Sequence, residues 1–148
     1  VAEIIECTHG PIHLENVFTG EVVPLEFLDK KFVAAISGIA VPESFEEKLT
    51  QLGANVLFHR TFSDHHTFTQ KDIDAFMRRC MRRDADIIVT TEKDAVRFPR
   101  PKELDVEVYF LRIEVDILSG AEVWERIVDR ICAPKVPVNP LLLRDRVV

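Results

Sequence analysis

The sequence lacks the patterns that identify most nucleotide- and metal-dependent enzymes. It contains no GxxxxGK[ST] loop, no GxGxxG, no GxSxG and no HExxH. Its three cysteines, Cys7, Cys80 and Cys132, are odd in number and far apart, which fits neither a disulfide framework nor a zinc knuckle. We therefore predict reduced thiols in a cytosolic setting, with Cys80 and Cys132 packed on apolar helix faces. The chain alone has no recognisable nucleotide site.

Long apolar runs and an excess of positive charge are also missing. No segment approaches the roughly 20 apolar residues needed to cross a bilayer. The net charge of −6 argues against nucleic acid as a partner. One local exception is a basic cluster, which either contacts anionic lipid head groups or forms the solvent face of an amphipathic helix. This cluster consists of Arg78, Arg79, Arg82 and Arg83.

The composition is that of one globular domain. The 148 residues are 47% hydrophobic, with no internal repeat and no low-complexity segment. Residues 1–30 predict an antiparallel, hairpin-like segment of short strands. These strands are "AEIIEC", "PIHLENV" and "EVVPLEF", with turns at His9-Gly10-Pro11 and Thr19-Gly20, and Pro24 marks the third as an edge strand.

From Lys31 onward, apolar runs alternate with amphipathic stretches. The runs "KFVAAIS", "NVLFHRTF", "ADIIVTT" and "VEVYFLRIEV" are typical of buried parallel strands. Strands that alternate with helices of about ten to fifteen residues indicate right-handed βαβ units. We therefore predict an α/β fold over residues 31–132, with a mostly parallel, Rossmann-like sheet and flanking helices.

Start and stop residues place three helices between and after these strands. "PESFEEKLTQLG" stops at Gly53, Thr69 caps the second helix, and Ser119 with Glu122 forms a capping box for the third. Their apolar faces are expected to hold Phe45, Leu49 and Leu52, then Ile73, Phe76, Met77, Cys80 and Met81, then Val123, Ile127, Val128 and Ile131.

The two ends of the chain carry their own expectations. The sequence begins at Val1, with neither a methionine nor a signal-peptide pattern, so we expect a piece of a longer protein. Residues 133–148 are punctuated by Pro134, Pro137 and Pro140 and are predicted to be a Pro-rich tail.

Polar side chains gather where three of the predicted strands end. Ligands of open parallel sheets bind beyond the carboxyl ends of the strands. The loops "SGIAVP", "SDHH" and "TTEKDAV" all leave at that edge, and none has a simple turn pattern such as Asn-Gly. We therefore predict a functional site there. Its candidate residues are Ser37, Gly38, Asp64, His65, His66, Thr91, Glu92, Lys93 and Asp94.

Asp64 and His65 are the candidate catalytic residues. A carboxylate beside an imidazole can fix its tautomer and make it a proton acceptor near neutral pH. The alternative is a carboxylate that bonds within the turn beside a solvated histidine. His66 either takes part or packs against the start of the next helix.

The other candidates have simple structural alternatives. Lys93 could meet a phosphate, with Asp94 orienting it, or both could belong to a solvated loop. Ser37-Gly38 lets the backbone approach a ligand closely, or merely packs tightly against a neighbour.

The three loops in this order and spacing carry a family resemblance. "SGIAVPESFEEKLTQLGANV", "FSDHHTFTQKDI" and "DIIVTTEKDAVRF" resemble the C-terminal half of the tetraacyldisaccharide 4'-kinases, the lipid A 4'-kinases of Gram-negative bacteria. The likeness runs from about Lys31 to Cys132, some two thirds of the chain.

The resemblance implies a kinase of lipid A biosynthesis, peripheral on the cytoplasmic face of the inner membrane. Such an enzyme uses ATP and Mg²⁺ to phosphorylate the 4'-hydroxyl of tetraacyldisaccharide 1-phosphate, giving lipid IVA. It also implies an N-terminal P-loop domain that is absent here. That domain would carry the nucleotide site, the Mg²⁺ ligands and a catalytic aspartate. The active site would be the cleft between that domain and this part. This chain alone would then be inactive.

The resemblance also implies residue roles. The family's Asp-His motif matches Asp64 and His65, so His65 would pair with the catalytic aspartate outside this chain, and Asp64 would orient His65. The Thr-Glu-Lys-Asp motif matches residues 91–94 and would lie beside the cleft.

Two other functions remain open from the residues alone. A metal-dependent phosphoesterase could use Asp64, His65 and His66 as ligands, although only Asp94 is evident as a further ligand. A non-catalytic α/β module could instead bind a partner through the rim or the tail.

Overall fold

The computed structural model describes residues 3–102 and 104–133. Strands and helices alternate through most of this range. In chain order the elements are β1 (Glu6–Asn16), β2 (Val22–Val23), a 3-10 helix (Leu25–Leu28), β3 (Phe32–Ser37), α1 (Pro42–Gln51), β4 (Asn55–Thr61), α2 (Gln70–Arg82), β5 (Ile87–Thr91), α3 (Glu92–Ala95), β6 (Glu107–Ser119) and α4 (Ala121–Cys132).

The strands form one mixed sheet in the order β2-β1-β6-β5-β3-β4. β3 pairs in parallel with β4 and with β5, and β5 pairs in parallel with β6. β2 pairs antiparallel with β1 at the edge of the sheet. The predicted α/β fold, with a mostly parallel sheet preceded by an antiparallel segment, is confirmed.

The core lies on both faces of this sheet because neighbouring residues of a strand point to opposite sides. In β3, Val33 and Ala35 belong to the cluster that contains Phe45 and Leu49 of α1. Ala34 and Ile36 belong to the opposite cluster, with the buried side chains of α2. All four β3 residues are fully buried, as the uninterrupted apolar run predicts.

The start of α2 follows the sequence prediction closely. Thr69 accepts a hydrogen bond from the backbone N–H of Asp72, and the Asp72 carboxylate accepts one from the backbone N–H of Thr69. This reciprocal capping box satisfies two donors that the first helical turn leaves unpaired. Of the expected apolar face, Ile73, Phe76, Met77 and Cys80 are buried, whereas Met81 is exposed.

The predicted Ser119 capping box of the last helix is wrong. Strand β6 continues through Ser119, and α4 is capped by Gly120 without a side-chain hydrogen bond. Ser119 lies one residue before the N-cap and its hydroxyl donates to Glu6 Oε2 at 2.6 Å. Val123, Ile127 and Val128 are only partly buried, and Ile131 and Cys132 are exposed, so Cys132 is not the core cysteine that the sequence predicts.

The first thirty residues depart from the predicted strands in two places. β1 runs without a break through the expected turn at His9-Gly10-Pro11. The missing N–H of Pro11 removes no bond to β2, because β1 pairs with β2 only at Leu14 and Glu15. The expected third strand ends at Val23, where Pro24 opens the 3-10 helix and sends Leu28 into the core.

The described residues divide into two compact units. His9–Glu114 form the larger one, which contains β2 to β5 and helices α1 to α3. Residues 3–8 and 115–133 form the smaller one, which contains α4. The predicted division of the chain at residues 30 and 132 stays a prediction, and the predicted Pro-rich tail lies outside the described residues apart from residue 133.

Candidate functional site

Three loops meet at the carboxyl ends of β3, β4 and β5 in the larger unit. β3 lies between the other two strands. The chain leaves β3 through α1 to β4 on one side of the β3–β5 pair, and it leaves β5 through α3 to β6 on the other side. The edge between β3 and β5 is therefore a topological switch point, the place where open α/β sheets bind ligands.

Asp94 links the loops that follow β3 and β5 by hydrogen bonds. Its side chain is fully buried and accepts three hydrogen bonds. The donors are the backbone N–H of Gly38 at 2.9 Å, the Thr91 hydroxyl at 2.7 Å and Arg97 Nη2 at 3.1 Å. A buried carboxylate is tolerated when it is paired with a charge and hydrogen-bonded in this way. Asp94 therefore acts as a clamp on the rim rather than as part of a solvated loop.

Gly38 is surrounded on three sides. A Cβ atom at this position would lie 3.3 Å from the Ser63 carbonyl oxygen, 3.4 Å from Asp94 Oδ1 and 3.5 Å from His66 Cβ. The contact with the Ser63 carbonyl would be tight, so a side chain here would push that loop outward by a few tenths of an ångström. The missing side chain thus lets the loop after β4 lie against the loop after β3.

Asp64 and His65 project from the loop after β4. The Asp64 carboxylate accepts from the backbone N–H of His65 at 3.0 Å, and His65 Nε2 lies 3.5 Å from Asp64 Oδ2. The His65 side chain is 72% exposed and that of Asp64 is 38% exposed. His65 also has a positive φ of 61°, unusual for a non-glycine residue. The pair has the geometry to hold an imidazole beside a carboxylate and leaves the ring open to a second reactant.

Lys93, in the short helix α3 after β5, forms an ion pair with Asp64. Its Nζ donates to Asp64 Oδ1 at 2.9 Å. This hydrogen bond holds the pKa of the Asp64 carboxyl below its ordinary value, with a smaller contribution from the nearby His65 ring. Asp64 is therefore ionised near neutral pH, the state that stabilises a protonated imidazole. The other neighbour in α3, Glu92, forms an ion pair with Arg112.

His66 packs against the helix start. Its ring stacks on Phe62 with centroids 4.4 Å apart and meets the edge of Phe68. Its Nε2 lies 3.4 Å from Asp72 Oδ2, which belongs to the capping box of α2. These contacts favour the packing interpretation of His66 over a reactive one.

A chain of polar side chains, which the sequence did not predict, runs from the buried Ser37 through His59 to the exposed Glu46. Ser37 Oγ is 2.8 Å from His59 Nε2, and His59 Nδ1 is 3.2 Å from Glu46 Oε2. The Glu46 carboxylate accepts from Nδ1–H, so in the neutral ring Nε2 accepts a hydrogen bond from the Ser37 hydroxyl. Burial lowers the pKa of His59, although Glu46 opposes this. Since Ser37 is fully buried, it holds β3 to β4 rather than facing a ligand.

Arg97 is the second residue that sequence reasoning missed. Besides its bond to Asp94, its Nη1 donates to the His65 carbonyl oxygen at 3.2 Å. Spacing offered one signal, because Arg97 lies three residues after Asp94, where side chains of a helical turn meet. For His59 the signal was a histidine directly after the apolar run Val56–Phe58 of β4.

Six of the nine predicted candidates fall into two groups, and the roles of all nine stay predictions. Asp64, His65 and Lys93 meet at the exposed face of the rim. Gly38, Thr91 and Asp94 form the buried clamp. The basic cluster is elsewhere, on α2 and at its end: Arg79 stacks on Phe58 at 4.3 Å, and Arg78, Arg82 and Arg83 are exposed.

The described residues do not fit a magnesium or nucleotide site of their own. Among residues 3–102 and 104–133, no group of three or more His, Cys, Asp or Glu side chains converges to hold a metal ion. The sequence also has no phosphate-cradling GxxxxGK[ST] loop. Within the same range, no helix is both long and apolar enough to cross a bilayer.

Comparison with known proteins identifies relatives of this chain. The family model described as tetraacyldisaccharide-1-P 4'-kinase matches residues 2–132. A tetraacyldisaccharide 4'-kinase from Anaeromyxobacter dehalogenans (strain 2CP-C) is 37% identical over 123 residues, which cover 82% of this chain and 32% of that protein. One from Halothermothrix orenii is 36% identical over 140 residues, covering 85% of this chain and 36% of that protein. The chain spans about a third of the length of these curated relatives.

A solved structure shares the fold. The crystal structure of the "apo" form of LpxK from Aquifex aeolicus in complex with ATP superposes with a TM-score of 0.54 at 24% identity. The match covers 86% of this chain and 36% of that one.

Proposed function

The chain belongs to the tetraacyldisaccharide-1-P 4'-kinase family, and from that premise we propose that it is the part of a lipid kinase that brings Asp64 and His65 to the sugar hydroxyl. The complete protein transfers a phosphoryl group from ATP to the 4'-hydroxyl of tetraacyldisaccharide 1-phosphate and produces lipid IVA. The single observation that carries this proposal is the exposed Asp64–His65 pair, held on a buried scaffold within the family match.

His65 acts on the nucleophile. Its ring accepts the proton of the 4'-hydroxyl, or orients that hydroxyl, together with an aspartate contributed by the rest of the protein. Asp64 stays ionised and stabilises the imidazolium that forms. Because Nε2 is the ring nitrogen beside Asp64, Nδ1 is free to face the hydroxyl.

ATP and Mg²⁺ belong to the rest of the protein in this proposal. Together they would supply the phosphoryl group and neutralise the charge that develops on it. A P-loop domain N-terminal to this chain holds both, since this chain has neither a phosphate-cradling loop nor a described carboxylate cluster that fits them. The active site is the cleft between that domain and the rim.

The substrate places the complete protein at a membrane. Tetraacyldisaccharide 1-phosphate is a lipid, and ATP is available on the cytoplasmic side, so the protein works peripherally on the cytoplasmic face of the bacterial inner membrane. The phosphoesterase alternative loses support because its third ligand, His66, is stacked on Phe62 and paired with Asp72. The binding-module alternative loses support from the family match.

Replacement of His65 in the complete protein tests this function. We expect His65→Ala to lower kcat by at least about 10²-fold, the usual contribution of a positioned general base. The measurement is 4'-phosphorylation of the lipid substrate with ATP and Mg²⁺. His9→Ala, which removes an exposed histidine of β1, is the matched control and should leave turnover unchanged. Near-normal turnover of the His65→Ala protein would overturn the assignment.

A further inference from the structure

Arg97 joins the buried clamp to the reactive loop. One end of its guanidinium, Nη2, donates to the fully buried Asp94 at 3.1 Å. The other end, Nη1, donates to the carbonyl oxygen of His65 at 3.2 Å. The backbone N–H of Arg97 also donates to the Asp94 carbonyl oxygen at 3.0 Å, which fixes the base of the side chain. The guanidinium is therefore anchored at its base and on one side, with its second donor directed at the loop.

The residue that Arg97 contacts has an unfavourable backbone conformation. His65 lies in the left-handed region with φ at 61°. A side chain with a Cβ atom disfavours this region, so the conformation persists only where the surroundings hold it. Asp64 holds the backbone N–H of His65, and Arg97 holds its carbonyl oxygen. The two peptide groups that flank the His65 Cα are thus each tied to a charged side chain.

We propose that Arg97 is a positioning residue, which holds the backbone of His65 in its left-handed conformation and thereby aims the imidazole at the sugar hydroxyl. This inference rests on the proposed function and assigns a second residue to the same reaction. Arg97 itself contacts the His65 carbonyl and not the ring, so it acts through His65. Arginine suits the task because its planar fork places two donors in a fixed relation, which the single ammonium of lysine does not do.

A double-mutant cycle in the complete protein tests this role. Arg97→Ala should lower kcat by about 10-fold or more and leave the KM for ATP within about twofold, since misplacement of a catalytic group affects the chemical step. In a His65→Ala background the same replacement should cost less than about twofold, because a residue that acts through His65 has nothing left to position. Arg97→Lys, which keeps the charge but places all its donors on one nitrogen, should fall between wild type and Arg97→Ala.

Arg100→Ala is the matched control. Arg100 is exposed, lies three residues further along and stacks on Phe18 at 5.7 Å, so its loss should leave kcat unchanged in both backgrounds. Equal losses from Arg97→Ala in the two backgrounds, or no loss in the wild-type background, would overturn the positioning role. A kinase that is active but insensitive to His65→Ala would instead contradict the proposed function.

A readout without turnover keeps the two proposals separate. The His65 imidazole resonance, assigned as the signal that His65→Ala removes, should shift or broaden in Arg97→Ala and stay in place in Arg100→Ala. An unchanged His65 signal in Arg97→Ala would overturn the role of Arg97, whether or not the complete protein phosphorylates the lipid.

Discussion

Two aspartates at the same rim have opposite surroundings. Asp94 is fully buried and accepts three hydrogen bonds, whereas the Asp64 side chain is 38% exposed and lies beside a histidine that is 72% exposed. Burial makes every bond of Asp94 necessary, because an unpaired buried charge is costly. Exposure leaves Asp64 and His65 free to meet another molecule. The contrast shows that a buried carboxylate holds the loops of the candidate site together, whereas the Asp64–His65 pair stays open to solvent.

The largest expected effect is the difference in stability between variants of the two aspartates. Asp94→Asn should reduce the free energy of unfolding by about 3–5 kcal/mol, because the amide cannot replace a buried carboxylate that pairs with Arg97 and accepts from two other donors. Asp64→Asn, at the exposed position, should leave the unfolding midpoint unchanged. Urea denaturation of this chain measures both variants. Equal midpoints for the two variants would remove the distinction between clamp and reactive pair.

A smaller effect tests the contact between the two regions. Gly38→Ala should cost about 1–3 kcal/mol, because its methyl group crowds the Ser63 carbonyl and Asp94 and displaces the loop that carries His65. The complete protein should also lose turnover. Gly20→Ala is the control: Gly20 has a φ of 73° with open space around it, so the variant is strained but uncrowded and should keep full turnover. Full turnover in Gly38→Ala would show that the reactive loop does not depend on this contact.

The stability supplied by the poorly exposed His59 should depend on pH. Burial lowers the pKa of His59 below its ordinary value near 6.5, so near that pH the unfolded chain binds more protons than the folded one. The free energy of unfolding should therefore fall as the pH drops below about 7, before the carboxylates titrate. His59→Gln should flatten this decline between about pH 7.5 and 5.5, and His13→Gln should not. Urea denaturation at several pH values measures the free energy of unfolding. An equally steep decline in wild type and in His59→Gln would show that His59 does not cause it.

The smallest effect concerns the exposed side. Lys93→Met removes the hydrogen bond that lowers the pKa of Asp64, so this pKa should rise toward its ordinary value. Stability should hardly change, because exposed ion pairs contribute little. NMR titration of the Asp64 carboxyl carbon measures the shift, with Lys102→Met, outside this loop, as the control. A pKa that stays low in Lys93→Met would assign its cause to His65 instead.

Local chemistry explains which elements the sequence could predict. The apolar run of β3 and the Thr69 cap of α2 are decided by neighbouring residues, and both are found in the structure. The break expected at Pro11 did not occur, because the effect of proline depends on which strand faces it. Ser119 does not cap α4 because β6 continues through it and Gly120 takes the N-cap position, and its hydroxyl bonds instead to Glu6, 113 residues away. Contacts at such separations are invisible to a local pattern.

The same division applies to the site. Parallel topology alone brings the loops after β3, β4 and β5 to one edge, so the sequence could predict their meeting. It could not predict which aspartate would be buried, since Asp64 and Asp94 both follow a strand and lie beside a basic or imidazole side chain. That outcome depends on Gly38 and Arg97, whose contacts with Asp94 exist only after folding.

The clamp also has a consequence for the order of folding. The bond from Gly38 to Asp94 joins residues 56 positions apart, whereas the Thr69–Asp72 cap closes over three. Closing a long stretch of chain costs more conformational entropy than closing a short one. We therefore expect the start of α2 to form early, and the contact between Gly38 and Asp94 to form only after the parallel sheet. The Gly38 amide should therefore exchange with solvent water only when the sheet opens. We therefore expect the loop that carries His65 to take its final shape late in folding.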